Sequence, residues 1–279
     1  MKRHLSTYHS LPKMPSLLLA VLLLLSALSM AQTAPKSVTP KQGPVYLTSD
    51  QLSFLDVLPP FPAVGSEEDA ADVATLKSWR RPADSPRFQQ ALTDDKTDVN
   101  RFNEAYGSLI DAAHAPLLYS LLGRVRHDVS LATGKAKHYY HRQRPFERLG
   151  FNGICWNDGM QTGAVKGDDM SYPSGHNSFA WSTVLTLAAV APERAQTLLA
   201  RGVDYGESRM VCGVHYPSDV LGGKLLATSV FTKLQSSPLF QRDLRCARQE
   251  RAIQTGTLKA LDSECQQLLS TVQNETPRK

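Results

Sequence analysis

The sequence of 279 residues predicts an all-α fold, a single-domain helical bundle. Three observations carry that reading. Apolar residues recur at three- and four-residue spacing in long segments such as "LLYSLLGRVRHDVSLAT". Serine or proline heads several of these segments, as at helix starts. Strand signals are scarce, and no internal repeat is visible.

Taken in order, the chain opens on Lys2, Arg3 and Lys13, then the apolar run Ser16 to Leu28, then Ser29 and Ala31 as small residues before a cleavage point. Residues 1–31 have the pattern of a secretory signal peptide, cleaved near Ala31, which predicts a periplasmic or secreted protein. The apolar run is short for a spanning helix, and an uncleaved anchor is the alternative reading. This leader holds three basic residues and no acidic one, so its removal lowers the formal charge from +5 to +2. No Lys/Arg stripe interleaved with aromatics follows, which argues against nucleic-acid binding. No second long apolar segment follows either, so no membrane contact is expected after cleavage.

Residues 32–43 are polar and proline-rich and read as a flexible arm. The domain is expected over 44–270, with a disordered tail at 271–279. Ser66 caps a helix that carries Glu67, Glu68 and Asp69 in its first turn and runs to about Trp79. Thr97 to Arg142 reads as helix with breaks, stopped by Pro145. The Gly-, Asn- and Asp-rich stretch from Phe151 to Met170 reads as a long loop, the kind often tied to function. A helix follows "SYPSGH" and runs to about Val190. Pro192 opens another, which continues to Val211. "CGVHYP" is a short break, and Pro217 stands at the first position of the next helix. One or two further helices close the chain. The helices beginning near His176 and Ser218 are expected at the centre.

Cys155, Cys212, Cys246 and Cys265 are four cysteines in an exported chain, so disulfides are expected. No C-x-x-C pair is present, which argues against zinc. Three connectivities are open at this point.

Three segments carry chemistry together. Lys137 and Arg144 are seven residues apart, about two helical turns, which would aim both cations to one side. Ser174, Gly175 and His176 begin a helix whose first N–H groups form an anion nest. Arg209 lies near a helix end, His215 in the following turn, and Asp219 four residues on. Singly, each has a plain structural role: a solvated face, a cap, a dipole partner. Together they suit a phosphoryl group, whose negative charge spreads over three equatorial oxygens. Lys137, Arg144 and Arg209 would answer that charge. A neutral His215 could attack phosphorus with Asp219 fixing its tautomer, and His176 could protonate the leaving oxygen.

The blocks K-x6-R-P (Lys137 to Pro145), P-S-G-H (Pro173 to His176) and S-R-x5-H-x3-D (Ser208 to Asp219) resemble the signature of the PAP2 phosphatase and haloperoxidase superfamily. With "YLTSDQLSFLDVLPPFPAVGS" and the leader, the chain looks like the class A bacterial non-specific acid phosphatases over about Val45 to Leu244. Met170 stands where Gly is usual in that class, Asn177 where Thr is usual, and Pro217 where Gln is common. The resemblance implies a broad-specificity acid phosphatase with His215 as the nucleophile that becomes phosphohistidine. His176 is then the general acid, Asp219 the group that orients His215, and Lys137, Arg144, Ser174, Gly175 and Arg209 the phosphate binders. It implies no metal and no cofactor, small phosphomonoester substrates, inorganic phosphate as product and inhibitor, and a homo-oligomer.

Other readings compete. A vanadate-dependent haloperoxidase shares the blocks, but the short chain and the N-terminal region disfavour it. A non-catalytic phosphate-binding protein would need the cations but not His215 with Asp219. A membrane lipid phosphatase would need several spans. His138 and His141 could bind a metal at i and i+3, but no matching carboxylate or Cys accompanies them, and a packing or surface role is preferred. Asn274-Glu275-Thr276 is a sequon with Pro277 after it, and carries little weight. Position along the chain favours Cys155 with Cys212, pinning the long loop, and Cys246 with Cys265. Activity is expected to peak at mildly acidic pH, with the two histidines pushed apart in pKa to set the limbs.

Overall fold

A computed structural model describes residues 45–156, 159–163, 166–168 and 170–275. The expected leader and arm, and Thr276 to Lys279 of the expected tail, lie outside the described residues. Ser66 accepts from the Asp69 N–H and starts α1, Glu67–Trp79. Ser85 caps α2, Pro86–Thr93, with Pro86 at its first position, where the missing N–H costs nothing. This helix is absent from the sequence expectation. A 3-10 turn, Val99–Phe102, leads into the short α3, Asn103–Tyr106. The long α4, Pro116–Tyr140, has no cap of its own. Instead the Glu250 carboxylate accepts from the Leu117 and Leu118 N–H groups at 3.0 and 2.9 Å.

His141 ends α4 in the left-handed region, at φ 48°. Pro145 then opens α5, Pro145–Leu149, rather than stopping α4. The expected long loop holds a small antiparallel hairpin, β1 Ile154–Cys155 and β2 Met160–Gln161. Then come α6 Gly175–Val190, α7 Ala195–Val211, α8 Pro217–Leu234, α9 Pro238–Gln254 and α10 Ser263–Glu275. The last helix runs beyond residue 270, the expected end of the domain. Among the described residues no helix is long and apolar enough to cross a membrane.

The described architecture is all-α apart from that hairpin. α6 is apolar on nearly every side, and a helix of that kind must be surrounded. It packs on α7, α8 and α4. Leu118, Leu121, Val125 and Val129 of α4 meet Phe179, Val184 and Leu187 of α6 in the main core. α8 approaches α6 very closely because residue 223 is glycine: a Cβ there would sit 2.5 Å from the Ser174 carbonyl oxygen. Cys155 is bonded to Cys212 and ties the hairpin to the end of α7. Cys246 is bonded to Cys265 and joins α9 to α10. The Asp128 carboxylate of α4 accepts from the N–H groups of Val45, Tyr46 and Leu47, which fixes the start of the described chain to the bundle.

Candidate active site

The N-terminal end of α6 is the reference point. Ser174 is fully buried and caps the helix by accepting from the Asn177 N–H. Its own N–H donates to the Asp219 carbonyl at 2.9 Å. The cap leaves the N–H groups of Gly175 and His176 directed out of the helix end, where an anion is favoured. A Cβ on Gly175 would lie 3.6 Å from Lys137 Cε, so the Lys137 side chain runs directly alongside this end. The Lys137 ammonium donates to the Met170 carbonyl. Burial, and then Arg144, push its pKa down to about 7.

His215 is buried in the turn between α7 and α8. Gly213 makes that turn possible: it sits at φ +74°, and the Arg80 guanidinium presses against it. His215 Nδ1 lies 3.2 Å from Asp219 Oδ2, and Nε2 lies 2.9 Å from Arg144 Nη1. A carboxylate only accepts and a guanidinium only donates. His215 therefore carries its proton on Nδ1 and presents a lone pair at Nε2. Burial and the adjacent Arg144 push its pKa down to about 3, against the pull of Asp219. Arg144 is itself held by Asp168 through Nε at 2.8 Å and lies over the Trp156 ring.

Asp219 is buried without access to water, and each of its oxygens is satisfied. Oδ1 accepts from Arg142 Nη1 at 2.6 Å. Oδ2 accepts from the Ser171 hydroxyl, the Tyr216 N–H and His215. Burial would raise its pKa, but Arg142, His215 and Ser171 outweigh burial and hold it well below the usual carboxylate range. Arg142 in turn donates to Asp72 of α1 at 2.8 Å and stacks over Tyr216 at 3.9 Å.

His176 donates from Nε2 to the Asp95 carbonyl at 2.8 Å. Arg209 is buried and pairs through Nη2 with Asp95 Oδ1 at 2.6 Å, while its Nε has no protein partner. Burial, then Arg209, with His215 and Arg144 adding, drive the His176 pKa well below its ordinary value. The two histidines are thus both pushed down rather than apart, because both are buried and cations flank both.

All eight expected site residues converge here, although one argument for them fails. Lys137 and Arg144 do not share a helix face, because α4 ends at Tyr140 and Arg144 lies in extended backbone before α5. They meet because the chain turns back at His141. His138 and His141 are exposed at that turn, and His138 bonds the Gly134 carbonyl. Among the described residues no group of three or more His, Cys, Asp or Glu side chains is arranged to hold a metal ion. Sequence reasoning missed Asp72, Asp95, Arg142, Asp168 and Ser171. Only Asp95 had a local signal, the Ser85-Pro86 start of the helix that delivers it.

Residues 114–237 match the PAP2 superfamily. The chain is 35% identical to a non-specific acid phosphatase of Providencia stuartii over 77% of this chain and 88% of that one. It is 33% identical to an acid phosphatase of Zymomonas mobilis over 82% and 85% of the two chains. A non-specific acid phosphatase of Salmonella typhi is 35% identical over 60% of this chain and 67% of its own. Identity at that level over most of both chains, on an all-α fold that assembles the three sequence blocks around one helix end, makes this protein a member of the acid phosphatase family of the PAP2 superfamily.

Proposed function

We propose that the protein is an exported, broad-specificity phosphomonoesterase that works through a phosphohistidine on His215 and needs no metal. The observation that carries this reading is the setting of His215, with Nδ1 on Asp219 and Nε2 turned to the Arg144 guanidinium. A histidine so placed is a neutral nucleophile at acidic pH. The substrate phosphoryl group takes the Gly175 and His176 N–H groups, Lys137, Arg144 and the unpartnered Arg209 Nε. Binding draws Arg144 onto a phosphoryl oxygen and exposes the His215 lone pair.

His215 Nε2 then attacks phosphorus, and the bond to the leaving oxygen breaks. His176 gives that oxygen a proton, so the alcohol departs neutral. Water next attacks the phosphohistidine as His176 takes its proton, the N–P bond breaks, and phosphate leaves. The depressed His176 pKa means the bound phosphate dianion must supply the field that protonates it. The N–H, ammonium and guanidinium groups around the phosphoryl oxygens do the charge stabilisation that a divalent cation supplies elsewhere. Export is supported by the leader pattern and the two disulfides. Broad specificity is supported by the relatives, two of which are named non-specific.

Two measurements test the reading. Hydrolysis of nitrophenyl phosphate should survive excess EDTA. His176→Ala should slow an alkyl phosphate, which needs the proton, by about 10²–10⁴-fold, and nitrophenyl phosphate far less. Equal losses on both esters would make His176 a phosphate binder and not the acid.

A further inference from the structure

A cleft of about 310 Å³ opens directly from the proposed phosphoryl site. Lys137 and Gly175 bound it at one end, Thr97 and Arg126 at the other, and Val129 and Phe179 form its apolar side. The sequence builds this trough from one stripe of α4. Arg126, Ser130, Gly134 and Lys137 follow at helical spacing. At Gly134 an added Cβ would meet nothing within 4 Å, so the glycine leaves the floor open.

Arg126 stands in this wall ready for a ligand. Its Nη1 and Nη2 donate to the Thr97 carbonyl and hydroxyl, both at 2.9 Å, and its Cζ lies 5.0 Å from the Phe179 ring centroid. These contacts hold the guanidinium in place, yet no carboxylate of the described residues pairs with it. Arg124, Arg201 and Arg209 each have an aspartate partner. The charged side chains lining the cleft are Arg126 and Lys137, both cations. Phe179 is one helical turn beyond Gly175, about 6 Å along the helix axis, and the guanidinium lies against its ring.

We propose that this cleft is the leaving-group subsite, and that Arg126 gives it a preference for phosphomonoesters carrying a second anionic group. That group is a carboxylate or a phosphate, set about one ring away from the scissile phosphorus. The ring or sugar between them lies on Phe179 and Val129. The proposal rests on the phosphoryl site described above, and extends it to the other end of the substrate.

The test uses the mature enzyme and paired substrates: phenyl phosphate with 4-carboxyphenyl phosphate, and a hexose monophosphate with the corresponding bisphosphate. In wild type the anionic member of each pair should have the lower KM, and added salt should narrow the gap. Arg126→Ala should lower the ratio of kcat/KM, anionic over neutral, about tenfold and through KM. Arg126→Lys should restore part of it. Gly134→Leu, which fills the trough, should raise KM for both aryl esters more than for methyl phosphate. A ratio that falls only for the bisphosphate supports a phosphate-selective subsite. A ratio that Arg126→Ala leaves unmoved in both pairs overturns the proposal. His215→Ala separates the two levels: undiminished turnover of phenyl phosphate by that variant refutes the phosphoryl site itself, whatever Arg126 does.

Discussion

Replacing Asp219 by asparagine changes one atom at the most enclosed point of the site. The carboxylate faces donors on both oxygens: Arg142 at Oδ1, and Ser171, Tyr216 and His215 at Oδ2. An amide can accept at only one end, so its NH₂ must oppose donors either way. Set against Arg142, it takes a partner from a buried guanidinium, at about 3–5 kcal/mol when such a pair is broken. Set against the donors at Oδ2, it strands the Tyr216 N–H, at about 1–3 kcal/mol. His215 accepts from the amide only by moving its proton to Nε2, where the new N–H faces the Arg144 guanidinium and must turn it away. The second arrangement wins. The fold survives, about 1–3 kcal/mol less stable, but the His215 lone pair now faces the new amide instead of phosphorus. The same change in a Ser-His-Asp triad costs about 10⁴ in kcat. A comparable loss is expected here, with KM little changed because every phosphate-binding group remains. Stopped-flow turnover of nitrophenyl phosphate and urea unfolding of the same preparation measure both effects. An Asp219→Asn variant that keeps kcat within about tenfold of wild type would refute the tautomer argument.

Further outcomes follow from the same geometry. Gly223→Ala places a Cβ 2.5 Å from the Ser174 carbonyl and 2.8 Å from Asn177 Cβ. It should cost about 1–3 kcal/mol in denaturant unfolding and raise the inhibition constant of inorganic phosphate, because the N-terminal end of α6 must shift. Lys137, held at about 7, is a cation below that pH and loses its charge as pH rises through it. KM should therefore climb above about pH 7, and Lys137→Arg, which stays charged, should abolish the climb; a climb that persists in the variant assigns it to another group.

Much of the site was legible because its chemistry is concentrated at helix ends. Ser174, Pro217 and the break around His215 are start and stop signals that sequence alone displays. Asp219 could be paired with His215 because four residues separate them across one turn. The supporting charges were not legible. Arg142 reads as one of several cations in "HRQRP", and nothing local shows that it is buried between Asp72 and Asp219, on α1 and α8. Asp95 holds both His176 and Arg209 from a segment more than eighty residues away from either. Such pairings are set by packing, and periodicity carries no trace of them. The end of α4 was misplaced for a local reason: His141 adopts a left-handed conformation usually left to glycine or asparagine.

In the proposed reaction phosphorus becomes bonded to His215. Enzyme mixed with ³²P-labelled phosphomonoester and quenched in alkali within the first turnover should carry label on the peptide containing His215. The label should resist base, be lost in mild acid, and be absent from His215→Ala. Label on Ser174 or His176, or a burst of alcohol release with no label on His215, would rule out His215 as the nucleophile.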